Sequence, residues 1–468
     1  MSTDEARDAT RGSAVKLLAE LLARTLQLLT TLVLARALGA ADFGLFGVLS
    51  SIAVVAAEAA DLGLQGTAAR ALVAGTLSLR GILRAKAWLG GGFVLVALLA
   101  WPFSPLLVAL LLYFAGAGWA EILGVALRAR GRRAAEAAVI LALRLTGLVL
   151  VATTLWRGGT LLPCAWALAF STLVPCLLAA ALLRPSRAET ATTVVLREPG
   201  DLAILRTSLP LAVNGGLALL SLRVELLVMS ALRSPAEVGY FLAALQVVQV
   251  LNFVPNALCA GAMPALTREA LRVQSGRAEG EADVVRRRTA TTVAFAAVPA
   301  AVGLALVAPA LTRLLYKDGY AEAAAPLAVL ALSVVPLFLN GLLTHALIAA
   351  ERASLLPRLT VVRVVLAAAL SALLVPAAGA VGAALGFVAS ELALVALGTR
   401  AATGARFPVG VARPVLLALA AALPMAAVVA PLRAHLPLAV VAGALVYGLA
   451  VASGLRVLPR LRRELGYS

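Results

Sequence analysis

Apolar runs long enough to cross a bilayer, about 20 residues at 1.5 Å each, fall near residues 15–38, 43–66, 82–101, 105–128, 134–156 and 160–183. A polar stretch, 184–207, separates these six from eight more near 208–231, 237–263, 289–308, 324–350, 355–376, 380–400, 411–432 and 436–456. The pattern predicts an all-α polytopic membrane protein of about 14 transmembrane helices with short connections. Pro175, Pro255, Pro299 and Pro336 lie inside runs, where they free backbone carbonyls and permit bends.

Composition removes a soluble reading, since 62% of the 468 residues are hydrophobic and only 13% charged against roughly a quarter in soluble domains. The first run carries Lys16, Glu20 and Arg24 and lacks a small-residue cleavage site, so it reads as a retained helix and not as a signal peptide. Lys and Arg exceed Asp and Glu by 40 to 23. In a soluble chain that excess would point to nucleic acid; here it sorts by side of the membrane. The N-terminal tail, the 2/3 loop (Arg70, Arg80, Arg84, Lys86), the 4/5 loop (Arg128, Arg130, Arg132, Arg133), the linker, the 8/9 loop (with Arg286, Arg287 and Arg288), the 10/11 loop (Arg352, Arg358, Arg363), the 12/13 loop and the C-terminus hold about 31 basic residues. The opposite connections hold about 6. Both termini are therefore expected in the cytoplasm, and the 286–288 cluster is expected to meet anionic membrane lipids. Three cysteines, two histidines and no GxGxxG, Walker A, nucleophile-elbow or zinc motif leave no metal, cofactor or nucleic acid expected. The loops are too short for the paired carboxylates of a polysaccharide polymerase or glycosyltransferase, so the chain is not read as an enzyme.

Phe43-Gly44-Leu45-Phe46 overlays Val238-Gly239-Tyr240-Phe241 at an offset of 195 residues. Six helices separate the copies, an even number, which predicts parallel repeats about an axis along the membrane normal. The expected division is an N-terminal six-helix bundle (1–183), a cytoplasmic linker (184–207), a C-terminal six-helix bundle (208–400) and two appended helices with a basic tail (401–468), with a central cleft between the repeats.

Ionisable residues at membrane depth mark a pathway or a partner pair. Lys16, Glu20, Arg24, Gln27 and Thr31 share one face of helix 1, and Ser51, Glu58, Asp61 and Gln65 one face of helix 2. Arg24 and Glu58 would lie roughly 12 to 14 Å from the cytoplasmic end, Glu20 and Asp61 roughly 8 Å. These layers fit interhelical salt pairs, and they fit a wet, charged lining for an anionic cargo and a coupling ion. At the repeat offset the helix 2 face falls on Gln246, Gln249, Phe253 and Asn256 of helix 8, where charge is lost while polarity is kept. On a continuous helix 7, Arg223 and Glu225 would point about 200° apart. Glu121 and Arg144 are expected to pair, and Glu391 and His345 to stand alone.

The run Leu34-Ala35-Arg36-Ala37-Leu38-Gly39-Ala40-Ala41-Asp42-Phe43-Gly44, with Arg24, Asp61-Leu62-Gly63-Leu64 and Arg70, resembles the opening of Wzx-type polysaccharide (O-antigen) flippases. Leu209-Pro210, Arg223-x-Glu225 and Ser234-Pro235-Ala236-Glu237-Val238-Gly239-Tyr240 are similar to the start of that family's second half. The wider superfamily includes lipid II flippases and MATE drug exporters. The resemblance implies a monomeric flippase of the bacterial inner membrane that moves an undecaprenyl-diphosphate-linked glycan outward by alternating access. It implies that Arg24, Arg144 and Arg223 meet the anionic head group. Gln27, Gln246, Gln249, Asn252 and Asn256 would then meet the sugars, and Glu20, Glu58, Asp61 or Glu225 would carry a coupling proton or sodium ion. The alternative is a MATE-type ion-coupled exporter of small molecules.

Overall fold

The computed structural model describes residues 3–74, 76–183, 201–251, 254–255, 267–268, 279–403 and 409–457. Among the described residues the regular structure is helical throughout. In chain order the helices are α1 (Thr3–Asp61), α2 (Leu64–Ala74), α3 (Leu79–Leu99), α4 (Pro105–Ala129), α5 (Arg133–Trp156), α6 (Leu161–Ser171), α7 (Leu173–Leu182) and α8 (Asp201–Ser221). There follow α9 (Val224–Leu232), α10 (Pro235–Leu251), α11 (Glu279–Tyr316), α12 (Ala324–Ala331), α13 (Val334–Ala349), α14 (Leu355–Thr403), α15 (Val409–Leu432) and α16 (Leu436–Val457).

Nine of the described helical segments are long and apolar enough to cross a membrane, or up to eleven when each bent pair is one span. Two of the nine, Leu18–Asp61 and Leu355–Arg400, have 44 and 46 residues, roughly 65 to 70 Å of helix and twice a bilayer core. Each is broken at a glycine in the left-handed region, Gly39 (φ 81°) and Gly379 (φ 53°), a conformation that costs glycine little. Read as two crossings each, and with Pro235–Leu251 as the described part of another, the helices accommodate the fourteen expected. The protein is a multi-pass membrane protein.

The chain forms two compact units, Met1–Leu220 and Ser221–Ser468. In the first, α4 is central and packs on α1, α5, α6 and α7, with α2 and α3 on its other flank. Its core is built of small and branched residues such as Leu64, Ile82, Ile122 and Leu127. Basic residues of the α4–α5 turn serve structure as well as charge. Arg130 Nη1 donates to the Leu183 carbonyl at 2.8 Å, satisfying an acceptor that a helix end leaves open, and Arg128 Nε pairs at 3.1 Å with buried Glu136.

In the second unit α14 packs on α9, α10, α12 and α13, while α11 joins α12, α13 and α15. α16 lies mainly on α15, and α15 packs on α11. Arg233, in the turn between α9 and α10, donates to the carbonyls of Val375 (3.0 Å) and Pro376 (2.7 Å). Those acceptors sit just before the Gly379 break. Glu237 lies so close that a Cβ on Gly379 would stand 2.5 Å from its Oε2.

Candidate functional site

In the first unit the helical path stops at Asp61. Leu62 and Gly63 take φ of 48° and 69° before α2 begins. The break is fixed by packing: a Cβ on Gly63 would lie 2.5 Å from the Ala212 nitrogen and 2.6 Å from the Ser208 oxygen of α8, so backbone meets backbone and only glycine fits. Asp61 then serves both sides of the break. Its Oδ2 accepts from the Gln65 N–H at 3.1 Å, and its Oδ1 accepts from Lys86 Nζ of α3. The pair is buried, with 8% of each side chain exposed, and Gly118 of α4 leaves room for the ammonium, since a Cβ there would come within 3.1 Å of Nζ. The Gln65 side chain donates to Glu121 of α4. Glu58, one turn before Asp61, is half-buried and makes no hydrogen bond or ion pair among the described residues. A Cβ on Gly215 of α8 would stand 2.8 Å from its Oε1. Asp61 thus holds the ammonium and, through Gln65, is linked to Glu121.

The second unit has its own break, between α8 and α9, with Arg223 at φ −125°, ψ −11°. The wheel that set Arg223 opposite Glu225 assumed a continuous helix and does not apply. The carbonyl of Ser221 freed by the break accepts from Arg363 Nη1, as does Ser221 Oγ at 2.6 Å, so irregular backbone at membrane depth is satisfied from within the protein. Arg363 Nε donates to Glu391 Oε1 at 2.6 Å and Nη2 to Glu225 Oε1 at 3.2 Å. Asn340 Nδ2 donates to Glu391 Oε2 at 2.7 Å. The Phe387 ring faces the guanidinium carbon at 5.1 Å, within the range of a cation–π contact. Glu225 is fully buried and Arg363 97% buried.

Three expectations are corrected here. Lys86 and Arg363 were counted as loop charges, yet both stand inside helices on buried carboxylates. Each lies seven or eight residues from its helix start, inside the apolar runs 82–101 and 355–376 but near enough to a charged turn to be counted with it. The sequence did hold a signal: on α3, Arg80 and Arg84 share a face, whereas Lys86 is 200° from Arg84. Glu391 is not isolated, and His345 Nδ1 lies 2.8 Å from its own helix's Gly341 oxygen. Nor do Glu121 and Arg144 pair. Arg144 Nη1 donates instead to the Tyr113 hydroxyl at 3.2 Å.

The remaining expected residues are placed as follows. Arg24 and Gln27 are exposed and Glu20 half-buried on α1, while Gln246 and Gln249 are half-buried on α10. Ser51 is fully buried and donates to its own helix at Gly47. Asn252 and Asn256 lie outside the described residues. Arg223 keeps a buried Nε without a hydrogen-bond partner. Among the described residues neither Arg144 nor Arg223 forms an ion pair, and no three of His, Cys, Asp and Glu converge as a metal-binding group would require.

Residues 9–268 match the family model described as polysaccharide biosynthesis protein. The chain belongs to this family. Solved structures agree on the fold. Lipid II flippase MurJ in an inward closed conformation superposes with a TM-score of 0.75 at 13% identity, over 95% of this chain and 99% of that one. An inward-facing multidrug resistance MATE family transporter of the MOP superfamily gives 0.63 at 19% identity, over 84% and 94%. A MOP superfamily transporter from Pyrococcus furiosus gives 0.54 at 15%, over 87% and 95%. A search of curated proteins returned no match. This polysaccharide biosynthesis protein therefore has the MurJ- and MATE-like polytopic fold.

Proposed function

We propose that this polysaccharide biosynthesis protein is a flippase or secondary transporter that moves a polyprenyl-diphosphate-linked oligosaccharide across the bacterial inner membrane by alternating access. The observation that carries the reading is the division among its intramembrane cations. Among the described residues Lys86 and Arg363 are neutralised by carboxylates, whereas Arg144 and Arg223 meet none, although a cation at membrane depth is costly without an anionic partner. A diphosphate supplies that partner, and a guanidinium receives it through two parallel hydrogen bonds. Arg24 is the third residue assigned to the head group. Gln27, Gln246, Gln249, Asn252 and Asn256 offer hydrogen bonds to sugar hydroxyls. For ion coupling Glu58 is favoured, because its carboxylate has no partner among the described residues; Glu20 remains a candidate, while Asp61 and Glu225 are already held by Lys86 and Arg363. The biased basic residues support cytoplasmic termini in this reading, with one chain as the transport unit.

The test is reconstitution in vesicles with a fluorescent polyprenyl-diphosphate-linked sugar on one leaflet, scored for its transfer. Transfer should fall at least tenfold in Arg144→Ala or Arg223→Ala and partly return in the lysine variants. Efflux of a cationic dye with no transfer of the lipid-linked sugar would assign the protein to small-molecule export instead.

A further inference from the structure

We propose that Arg363 is a tethered counter-ion: its guanidinium permanently fills the place that a free cation would take among the acids of the second unit, so no exchangeable metal ion binds there. Resting on the transport reading above, this confines ion coupling to the acids of the first unit.

The geometry of the cluster supports the proposal in three ways. First, Arg363 does not extend toward an aqueous surface as long basic side chains near helix ends do. It is 97% buried, and all three of its nitrogens are engaged, by Ser221 at the end of α8, Glu225 on α9 and Glu391 on the second half of α14. Second, the oxygens are used up. Ser221 O, Ser221 Oγ, Glu225 Oε1 and Glu391 Oε1 all accept from the guanidinium, and Glu391 Oε2 accepts from Asn340. The acceptors left are Glu225 Oε2 and Asn340 Oδ1, two atoms where hard metal cations such as calcium or magnesium take six or more. Third, the fold does not require an acid here. At an offset of 219 residues the buried positions Cys164, Ala165, Leu168, Ser171 and Thr172 of the first unit fall on Ala383, Ala384, Phe387, Ser390 and Glu391. Ser171 and Ser390 even make the same bond, to Leu168 O at 2.6 Å and Phe387 O at 2.8 Å. Where the second unit has Glu391 the first has Thr172, while Arg363 falls on Arg144, so both units keep the arginine and only the second surrounds it with acids. The planar guanidinium also fits the Phe387 face, which a spherical ion would not use in the same way.

The test uses the purified full-length protein in lipid nanodiscs and reads thermal unfolding, with no cargo present. Wild type should unfold at the same temperature in sodium, potassium and choline chloride. Arg363→Ala should unfold several degrees lower and recover at least half of that loss when sodium, or guanidinium at a sub-denaturing concentration, enters the vacated cage. Arg363→Lys should fall between, keeping the charge without the fork. Where Arg363→Ala does not fold, Arg363→Met combined with Glu225→Gln and Glu391→Gln keeps the question open to refutation: this neutral variant should fold near the wild-type temperature and ignore added cations. A sodium-dependent rise in wild type that disappears in Glu225→Gln would overturn the proposal by showing an exchangeable ion. So would a neutral variant as unstable as Arg363→Ala, or an Arg363→Ala protein that folds and responds to no cation. None of these readouts measures transport, so failure of the transport reading would leave them standing and remove only the consequence for coupling. That consequence is read separately: Glu58→Gln should abolish the ion dependence of sugar-lipid transfer.

Discussion

The Lys86–Asp61 pair allows a quantitative prediction. Only 8% of either side chain is exposed, so removing the lysine leaves a buried carboxylate, a change that costs about 3 to 5 kcal/mol in comparable sites. Asp61 retains the Gln65 N–H at 3.1 Å, and a hydrogen bond to a charged group returns about 1.5 kcal/mol or more. Lys86→Met should therefore cost about 3 kcal/mol, more than a hundredfold in the folding equilibrium. Asp61→Asn should cost less, about 1 to 2 kcal/mol, because the amide oxygen can still accept from Gln65 and the flexible lysine stem can carry its ammonium toward water. The double variant Lys86→Met with Asp61→Asn leaves no unpaired charge and should recover to within about 1 kcal/mol of wild type. Unfolding in mixed micelles titrated with SDS, run on all four proteins, yields the coupling energy, expected from these losses at about 3 to 5 kcal/mol. Additive losses in the double variant, or a silent Lys86→Met, would refute the buried-pair argument.

Gly63→Ala should lower stability by about 3 kcal/mol or more, because the new methyl group meets the backbone of α8 and cannot be relieved by a side-chain rotation; thermal unfolding and expression level check it. Gly379→Ala should cost at least about 1 to 2 kcal/mol for its left-handed backbone, and combining it with Glu237→Ala should relieve only the steric part. In a background lacking Cys164, Cys176 and Cys259, cysteine at exposed Gln27 should react with a water-soluble thiol reagent, whereas cysteine at buried Asp61 should react far more slowly; equal labelling would contradict the burial of the pair. Reporter fusions after Arg133 and Arg288 should read cytoplasmic, and fusions near Trp101, Arg157 and Asp318 should read outside.

The sequence by itself determined the class of molecule. Hydropathy runs are local, and a lipid environment forces each run to satisfy its own backbone as helix, so crossing segments, their repeat and the membrane-depth acids could be read without tertiary knowledge. Glu58, Asp61 and Glu225 were found this way, as were Arg144 and Arg223. What the tertiary structure decided was which charges meet. Asp61 turned from the expected helix 1 layer to Lys86 because the chain breaks at Leu62 and Gly63, and that break depends on the close approach of α8, 145 residues further along at Ser208. Arg363 stands 138 residues from Glu225, and no local period links them. Periodicity assumes an unbroken helix, and its errors fell where the helix stops, at residues 62–63 and 222–223. There, freed backbone groups must find partners from other helices, and only the packed chain supplies them.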